Sequence, residues 1–192
     1  MIKIGVIGCG FIGSQICFAI DSGVVSAELF GIFDFSNEKA ETVLKQLKKS
    51  TPQIKTPEEL IQSCDLIVEC ASQEAVSKYA MSAAENGVDM MILSVGAFQD
   101  AAFYSQLKEK AALHNSKIYI PSGAIAGTDG LKSASVAGLS SVSVTTRKPI
   151  SGLIGSPYLV QNQIDLQKTA KYTPKSCLFI LYMVHFLKQT YY

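Results

Sequence analysis

The sequence contains little charge and no excess of one sign. Of its 192 residues, 17% are charged, and the formal net charge at pH 7 is +1. Nucleic acids and anionic membranes select basic patches, and the lysines cluster only at Lys45, Lys48 and Lys49, a pattern typical of a solvated helix face. We therefore expect neither partner. Because 48% of the residues are hydrophobic, the chain can bury a core.

Metal-ligand spacing and disulfide patterns are also missing from the sequence. None of its five cysteines forms a Cys-x-x-Cys pair, and neither of its two histidines stands at ligand spacing. Most of the cysteines stand in apolar or helical contexts, where cysteine behaves as a small hydrophobic residue. These absences predict no metal site and a reduced, cytoplasmic protein.

Long hydrophobic runs are absent as well. The apolar run at residues 177–186 is too short for a bilayer span, which needs ~20 residues. The first residues lack a basic segment followed by a long apolar one and a cleavage site, so we do not expect a signal peptide. The sequence therefore predicts a protein with no membrane association.

A glycine motif near the start of the chain is the most informative feature. Residues 2–7 are rich in β-branched side chains and predict a buried strand. Residues 8–13 read Gly-Cys-Gly-Phe-Ile-Gly, and a helical pattern follows as far as Gly23. A second predicted strand, residues 27–33, ends at Asp34. This is Gly-x-Gly-x-x-Gly between a strand and a helix, the context in which it binds dinucleotides.

Each glycine of this motif has a physical role. Gly8 allows a tight turn, Gly10 lets a pyrophosphate approach the backbone, and Gly13 lets the helix pack closely on the strand. The helix N-terminus then holds the phosphate charge, and a carboxylate about twenty residues further on accepts hydrogen bonds from the adenosine ribose. The alternative is a glycine turn in an ordinary α/β protein. The predicted cofactor contacts here are Gly8, Gly10, Phe11, Ile12, Gly13 and Asp34.

The acidic residue also bears on the choice between NAD and NADP. Asp34 would repel a 2′-phosphate, and the next residue is Phe35, not an arginine that would bind one. Taken alone, these residues favour NAD over NADP.

Predicted strands and helices alternate through the first 120 residues. A capping box at Thr56 and Glu59 marks one helix start. The further predicted strands are 65–70, 89–93 and 117–120, and the further predicted helices are 37–49, 73–86 and 103–115. This order predicts an α/β fold with a Rossmann-type doubly wound parallel sheet over residues 1–120. The start of an incomplete α+β second domain follows, residues 121–192, with a predicted helix at 125–136 and a predicted strand at 141–146.

Small and polar residues follow the predicted central strands. In doubly wound sheets, ligands lie beyond the carboxyl ends of the strands. Ala71 and Ser72 follow one strand, and Ser94 follows the next. We predict that these three residues contact the cofactor; for the two serines the alternative is helix or turn capping.

Two later segments carry a resemblance to a known family. Residues 121–127 read Pro-Ser-Gly-Ala-Ile-Ala-Gly, and residues 142–149 read Val-Ser-Val-Thr-Thr-Arg-Lys-Pro. Together with the glycine motif, they resemble the L-aspartate dehydrogenases, over residues 1 to about 165. The resemblance implies oxidation of L-aspartate to iminoaspartate for NAD biosynthesis, with NAD or NADP as cofactor. It also implies a cofactor contact at Ala124 and a homodimer in full-length members.

The sequence departs from that family toward its end. Members are longer and carry an Asn-Ile-His segment whose histidine is assigned to catalysis, and this segment is absent here. The histidines present, His114 and His185, do not match it, so no catalytic residue is assigned. We expect a truncation or frameshift after about residue 168, an atypical tail at 169–192, and a strand at 141–146 that lacks its partners.

Two other functions remain open from the sequence. The first is a nucleotide-binding remnant or sensor without catalysis, which the missing histidine suggests. The second is a sugar-type oxidoreductase with the same two-domain plan. Members of that group carry Glu-Lys-Pro after the fifth strand, whereas residues 94–97 here read Ser-Val-Gly-Ala.

Overall fold

The computed structural model describes residues 1–123, 127–139, 141–148, 163 and 178–184. The chain divides into two compact units, Met1–Ala124 and Ile125–Tyr192. None of the helices in the described ranges is both long enough and apolar enough to cross a membrane.

The first unit is built on a six-stranded parallel sheet with the strand order β3-β2-β1-β4-β5-β6. The strands are β1 (Lys3–Ile7), β2 (Glu28–Phe33), β3 (Gln53–Ile54), β4 (Leu66–Glu69), β5 (Asp89–Ile92) and β6 (Ile118–Tyr119). The helices are α1 (Phe11–Ser22), α2 (Asn37–Gln46), α3 (Pro57–Ser63), α4 (Gln73–Glu85) and α5 (Ala101–Leu113). Strand order reverses at β1, so the predicted doubly wound Rossmann-type sheet is confirmed.

Hydrophobic clusters cover both faces of this sheet, because successive strand residues point to opposite faces. Ile7 of β1 lies in a cluster with Leu60, Val76, Met90 and Leu107, from α3, α4, β5 and α5. Its neighbour Val6 lies in the opposite cluster, with Cys17, Ile20, Ile32 and Val43. The two layers of helices therefore hold β1 and the turn after it in the centre of the unit.

Several helix ends follow the sequence signals. The Thr56 hydroxyl accepts the Glu59 N–H at 3.2 Å, and the Glu59 carboxylate accepts the Thr56 N–H at 2.8 Å, so the predicted capping box is confirmed. Gly23 ends α1 with φ +85°, a left-handed conformation that favours glycine.

One helix is shorter than its sequence pattern predicts. We expect a helix over residues 37–49, but α2 ends at Gln46. The buried Asp21 carboxylate accepts the N–H groups of Lys48 at 2.9 Å, Lys49 at 2.8 Å and Ser50 at 2.5 Å. These N–H groups bond to Asp21 and not to carbonyls one turn back, so the helix cannot continue. The two residues of β3 and the 3-10 helix Val95–Gln99 were also not predicted, because such short elements leave no periodic pattern.

Asp21 should stabilise the fold in a pH-dependent way. The three backbone N–H groups hold its pKa at about 2, below the usual value of 3.8. The stabilisation is complete above pH ~4 and is lost as the pH falls toward 2. We expect Asp21→Asn to lower Tm by several degrees at pH 7, and the difference from wild type to shrink below pH ~4.

Thermal melts followed by circular dichroism between pH 7 and pH 2.5 test this expectation. Glu41→Gln is the matched control, because Glu41 forms only an exposed ion pair with Lys45 at 3.9 Å. A Tm difference for Asp21→Asn that stays constant across the whole range would contradict the assigned pKa.

The second unit contains helix α6 (Thr128–Ala137) and a two-stranded antiparallel sheet. Strand β7 (Val142–Lys148) pairs with β8 (Leu178–Val184), from Val142 opposite Val184 to Lys148 opposite Leu178. The expectation that the strand at 141–146 lacks its partners is therefore wrong. Residues 178–184 include Phe179, Ile180, Tyr182 and Val184, residue types that are enriched in strands, and they provide the partner strand. The rest of the predicted tail, including His185, lies outside the described residues.

Candidate cofactor site

The turn after β1 requires glycine at its first position. Gly8 has φ +104°, and its N–H donates to the Phe33 carbonyl of β2 at 2.7 Å. A Cβ at Gly8 would lie 2.7 Å from the Ala71 nitrogen, in the segment after β4. The turn is thus packed against the ends of both neighbouring strands, and no larger residue fits there.

The other two glycines of the motif have opposite surroundings. A Cβ at Gly13 would collide with the Gly8 carbonyl oxygen, so α1 packs directly on the turn. A Cβ at Gly10 would meet nothing within 4 Å. Gly10 is also the N-cap of α1, and no side chain caps this helix end. The open space and the uncapped N–H groups fit a bound pyrophosphate.

Asp34 is held in place by backbone groups. One carboxylate oxygen accepts the Cys9 N–H at 2.8 Å, and the other accepts the Ser36 N–H at 2.8 Å. The carboxylate therefore links the glycine turn to the end of β2. Each oxygen keeps a further lone pair, which is free to accept a hydrogen bond from a ligand.

These groups surround one open cleft at the carboxyl ends of the strands. The cleft has a volume of about 400 Å³. It is lined by the glycine turn (Gly8, Gly10), by the segment after β2 (Asp34, Phe35, Ser36, Lys39) and by the segment after β4 (Cys70, Ala71, Ser72). Its place, where the strand order reverses, is where doubly wound folds bind ligands.

The structure brings together half of the predicted contact residues in the cleft. Gly8, Gly10, Asp34, Ala71 and Ser72 line the cleft. Phe11 and Ile12 lie exposed in the first turn of α1, with 80% and 48% of their surface accessible, and Gly13 is buried behind them. Ser94 follows β5, and Ala124 lies outside the described residues. The cofactor contacts themselves stay predictions.

The two serines behave differently from one another. The Ser72 hydroxyl accepts the Ala75 N–H at 3.2 Å and caps α4, as the capping alternative proposed. The Ser94 hydroxyl caps no helix; it donates to the Glu69 carboxylate at 2.9 Å.

Glu69 is a residue of this region that sequence reasoning missed. It is 1% exposed, at the last position of β4. Its carboxylate accepts the N–H groups of Ala71 at 2.7 Å, Ser72 at 2.9 Å and Ser94 at 3.1 Å, besides the Ser94 hydroxyl. An acidic residue inside an apolar strand run is the signal that could have found it, because buried carboxylates need partners.

Three cysteines lie in or near the glycine turn: Cys9 within it, Cys17 in α1 and Cys70 after β4. Cys9 and Cys17 are buried, and Cys70 is half-buried. Burial raises the pKa of each thiol to about 12, and the Asp34 charge adds to the effect at Cys9. These thiols therefore remain protonated and act as small apolar groups.

No catalytic or metal-binding group stands out in the described ranges. His114 is exposed and ends α5, where its N–H donates to the Lys110 carbonyl at 3.1 Å. Among these residues, no group of three or more His, Cys, Asp or Glu side chains could hold a metal ion.

Residues 8–121 match the family model described as the NAD-binding domain of homoserine dehydrogenase. The chain belongs to this family. The prediction that it uses a nicotinamide dinucleotide cofactor, NAD or NADP, is thereby confirmed.

Curated relatives show which dehydrogenases the chain resembles in sequence. The chain is 52% identical to the L-aspartate dehydrogenase of Methanosarcina acetivorans over 173 residues, which cover 90% of this chain and 64% of that protein. It is 39% identical to the L-aspartate dehydrogenase of Nitrosopumilus maritimus over 175 residues, again 90% and 64%. The resemblance to L-aspartate dehydrogenases is confirmed, and the chain spans 64% of the length of these relatives.

Solved structures share the fold. An aspartate dehydrogenase from Thermotoga maritima matches with a TM-score of 0.54 at 20% identity, covering 94% of this chain and 78% of that one. A scyllo-inositol dehydrogenase from Lactobacillus casei matches with a TM-score of 0.62 at 16% identity, covering 80% and 48%. At these identities the matches show a likeness of fold alone.

Proposed function

We propose that the protein is an L-aspartate dehydrogenase, which oxidises L-aspartate to iminoaspartate with NAD or NADP. The observation that supports this most is the 52% identity to a protein of that name across 90% of this chain. We further propose that the product is used in NAD biosynthesis, and that the protein works in the cytoplasm as a homodimer on a small-molecule substrate, without nucleic acid or membrane partners.

The residues of the cleft have distinct roles in this proposal. The space above Gly10 and the first N–H groups of α1 hold the pyrophosphate, and Asp34 accepts the adenosine ribose hydroxyls. Phe11, Ile12, Ala71, Ser72, Ser94 and Ala124 complete the proposed contacts. When bound, the nicotinamide supplies the acceptor for a hydride from the amine-bearing carbon of aspartate.

The sugar-type alternative finds less support at the end of β5. Residues 95–99 form the 3-10 helix, and Ser94 is bonded to Glu69. Neither the sequence nor this arrangement places a lysine there for a sugar hydroxyl. The likeness to the inositol dehydrogenase is therefore one of fold.

Binding and turnover, measured separately, test the proposed function. We expect purified chain to bind NADH in a fluorescence titration. A chimera of residues 1–165 with the remaining length of the Methanosarcina acetivorans relative should form NADH from NAD and L-aspartate. D-Aspartate and scyllo-inositol serve as control substrates.

Three outcomes separate the alternatives. NADH formation with L-aspartate supports the dehydrogenase assignment. Cofactor binding by both proteins without turnover of any amino acid favours the remnant or sensor. Turnover of scyllo-inositol and none of L-aspartate would favour the sugar-type oxidoreductase.

A further inference from the structure

A buried carboxylate connects the two chain segments that flank the proposed cofactor site. The Glu69 Oε1 accepts the Ala71 N–H at 2.7 Å, the Ser72 N–H at 2.9 Å and the Ser94 hydroxyl at 2.9 Å. Its Oε2 accepts the Ser94 N–H at 3.1 Å. All four donors come from the segments that follow β4 and β5.

The surroundings of Glu69 supply hydrogen-bond donors. None of the ion pairs in the described part of the chain includes Glu69. Four donors therefore satisfy a carboxylate that is 1% exposed. Charge-assisted hydrogen bonds of this kind are short and strong. Removing one partner would leave a buried polar group without a hydrogen bond, which costs folding free energy.

The four donors follow β4 and β5, which are neighbours on the same side of the point where the strand order reverses. Ala71 and Ser72 line the cleft together with Gly8, Gly10 and Asp34. Ser94 follows β5, which lies on the other side of β4 from β1. In doubly wound folds the two mononucleotide halves of the cofactor bind to opposite halves of the sheet. Glu69 thus links the segment that lines the cleft beside Asp34 to the segment after β5, which lies farther from the adenosine side.

We propose that Glu69 is a positioning residue, which sets the cofactor-facing backbone after β4 and β5 through its four hydrogen bonds. This inference rests on the proposed cofactor site. Glu69 itself lies beneath the cleft and does not touch the cofactor. Its carboxylate fixes where the backbone of Ala71, Ser72 and Ser94 stands, and so fixes the shape that the cofactor meets.

A glutamine at position 69 distinguishes the hydrogen bonds that Oε1 accepts from the one that Oε2 accepts. A glutamine has one oxygen acceptor and one NH₂ donor where glutamate has two acceptors. Its oxygen can keep the three donors at Oε1, but its NH₂ then faces the Ser94 N–H. Glu69→Gln should therefore lose the hydrogen bond to the Ser94 N–H while it keeps those to the Ala71 N–H, the Ser72 N–H and the Ser94 hydroxyl, and Glu69→Ala should lose all four.

Calorimetric titrations of the chain with NAD and with AMP test this inference, at a temperature where circular dichroism shows every variant folded. AMP occupies only the adenosine side, next to Asp34. We expect Glu69→Gln to weaken NAD binding about tenfold, the equivalent of one hydrogen bond to a charged group. AMP binding should change by no more than about twofold. Glu69→Ala should weaken both ligands.

Asp21→Asn is the matched control, because Asp21 is also a buried carboxylate that accepts three backbone N–H groups. It lies at the C-terminal end of α1, outside the cleft. The Asp21→Asn substitution should lower Tm without changing the affinity for NAD or for AMP. Amide hydrogen exchange gives a readout without ligand, because Ser94 should lose protection in Glu69→Gln while Ala71 and Ser72 keep theirs.

The outcomes distinguish this inference from the proposed function. Equal NAD affinities for wild type and Glu69→Gln, or equal losses for NAD and AMP in Glu69→Gln, would overturn the positioning role alone. A wild-type chain that binds neither NAD nor NADP would overturn the proposed cofactor site, and the role of Glu69 with it.

Discussion

Replacing Gly13 with alanine should destabilise the first unit by about 3 kcal/mol, at the upper end of what overpacking usually costs. The new Cβ would collide with the Gly8 carbonyl oxygen, which belongs to the turn and cannot rotate away as a side chain could. Helix α1 must then move off β1 at the centre of the unit. Urea unfolding followed by circular dichroism measures the loss.

The same substitution at Gly10 should separate binding from folding. Gly10 has φ −71°, which alanine adopts freely, and a Cβ there meets no atom within 4 Å. The loss of a glycine N-cap should cost at most about 1 kcal/mol. The added methyl group would occupy the space that the pyrophosphate needs, so NAD binding should weaken about a hundredfold, or ~3 kcal/mol.

The pair of variants makes the test specific. Gly10→Ala should unfold near the wild-type urea concentration and bind NADH about a hundredfold more weakly in a fluorescence titration. Wild-type affinity in Gly10→Ala would show that the pyrophosphate does not lie above this turn. Wild-type stability in Gly13→Ala would show that α1 and the turn are less closely packed than the structure has them.

Asp34→Asn should weaken NAD binding by ten- to a hundredfold, because hydrogen bonds to a charged group are worth about 1.5–3 kcal/mol. The asparagine NH₂ would also oppose either the Cys9 N–H or the Ser36 N–H, so the side chain would lose its position. NADP affinity should fall less than NAD affinity, because the charge that repels a 2′-phosphate is gone.

Glu38→Gln is the charge-matched control for Asp34→Asn. Glu38 is exposed in the first turn of α2, close to the cleft in sequence, and its carboxylate accepts none of the hydrogen bonds found among the described residues. The Glu38→Gln substitution therefore removes one negative charge without removing a hydrogen bond. Equal changes of the NAD-to-NADP affinity ratio in both variants would mean that general electrostatics, and not the Asp34 position, sets the preference.

The sequence predicted those features that rest on local patterns. The glycine spacing gave the turn, because each glycine meets a steric or conformational demand within a few residues of itself. The Thr56–Glu59 capping box and the left-handed Gly23 are local in the same sense. The parallel sheet followed from the alternation of strands and helices, which leaves few allowed connections.

Features that depend on partners distant in sequence could not be predicted in the same way. Asp21 ends α2 through residues 48–50, and nothing near either segment indicates the other. Glu69 bonds to Ser94, which is distant in the sequence and adjacent only because β4 pairs with β5. Likewise, the pairing of β7 with β8 joins segments that no local pattern connects.

Burial protects the Cys9 thiol, which lies within the glycine turn of the proposed cofactor site, from thiol reagents. Burial and the Asp34 charge raise the pKa of Cys9, which disfavours the thiolate, the form that oxidants and alkylating agents attack. The glycine turn can therefore carry a cysteine between two of its glycines without becoming sensitive to peroxide or disulfide exchange. Covalent modification of Cys9 would require the turn to open, so its labelling rate would measure how often the turn exposes this thiol.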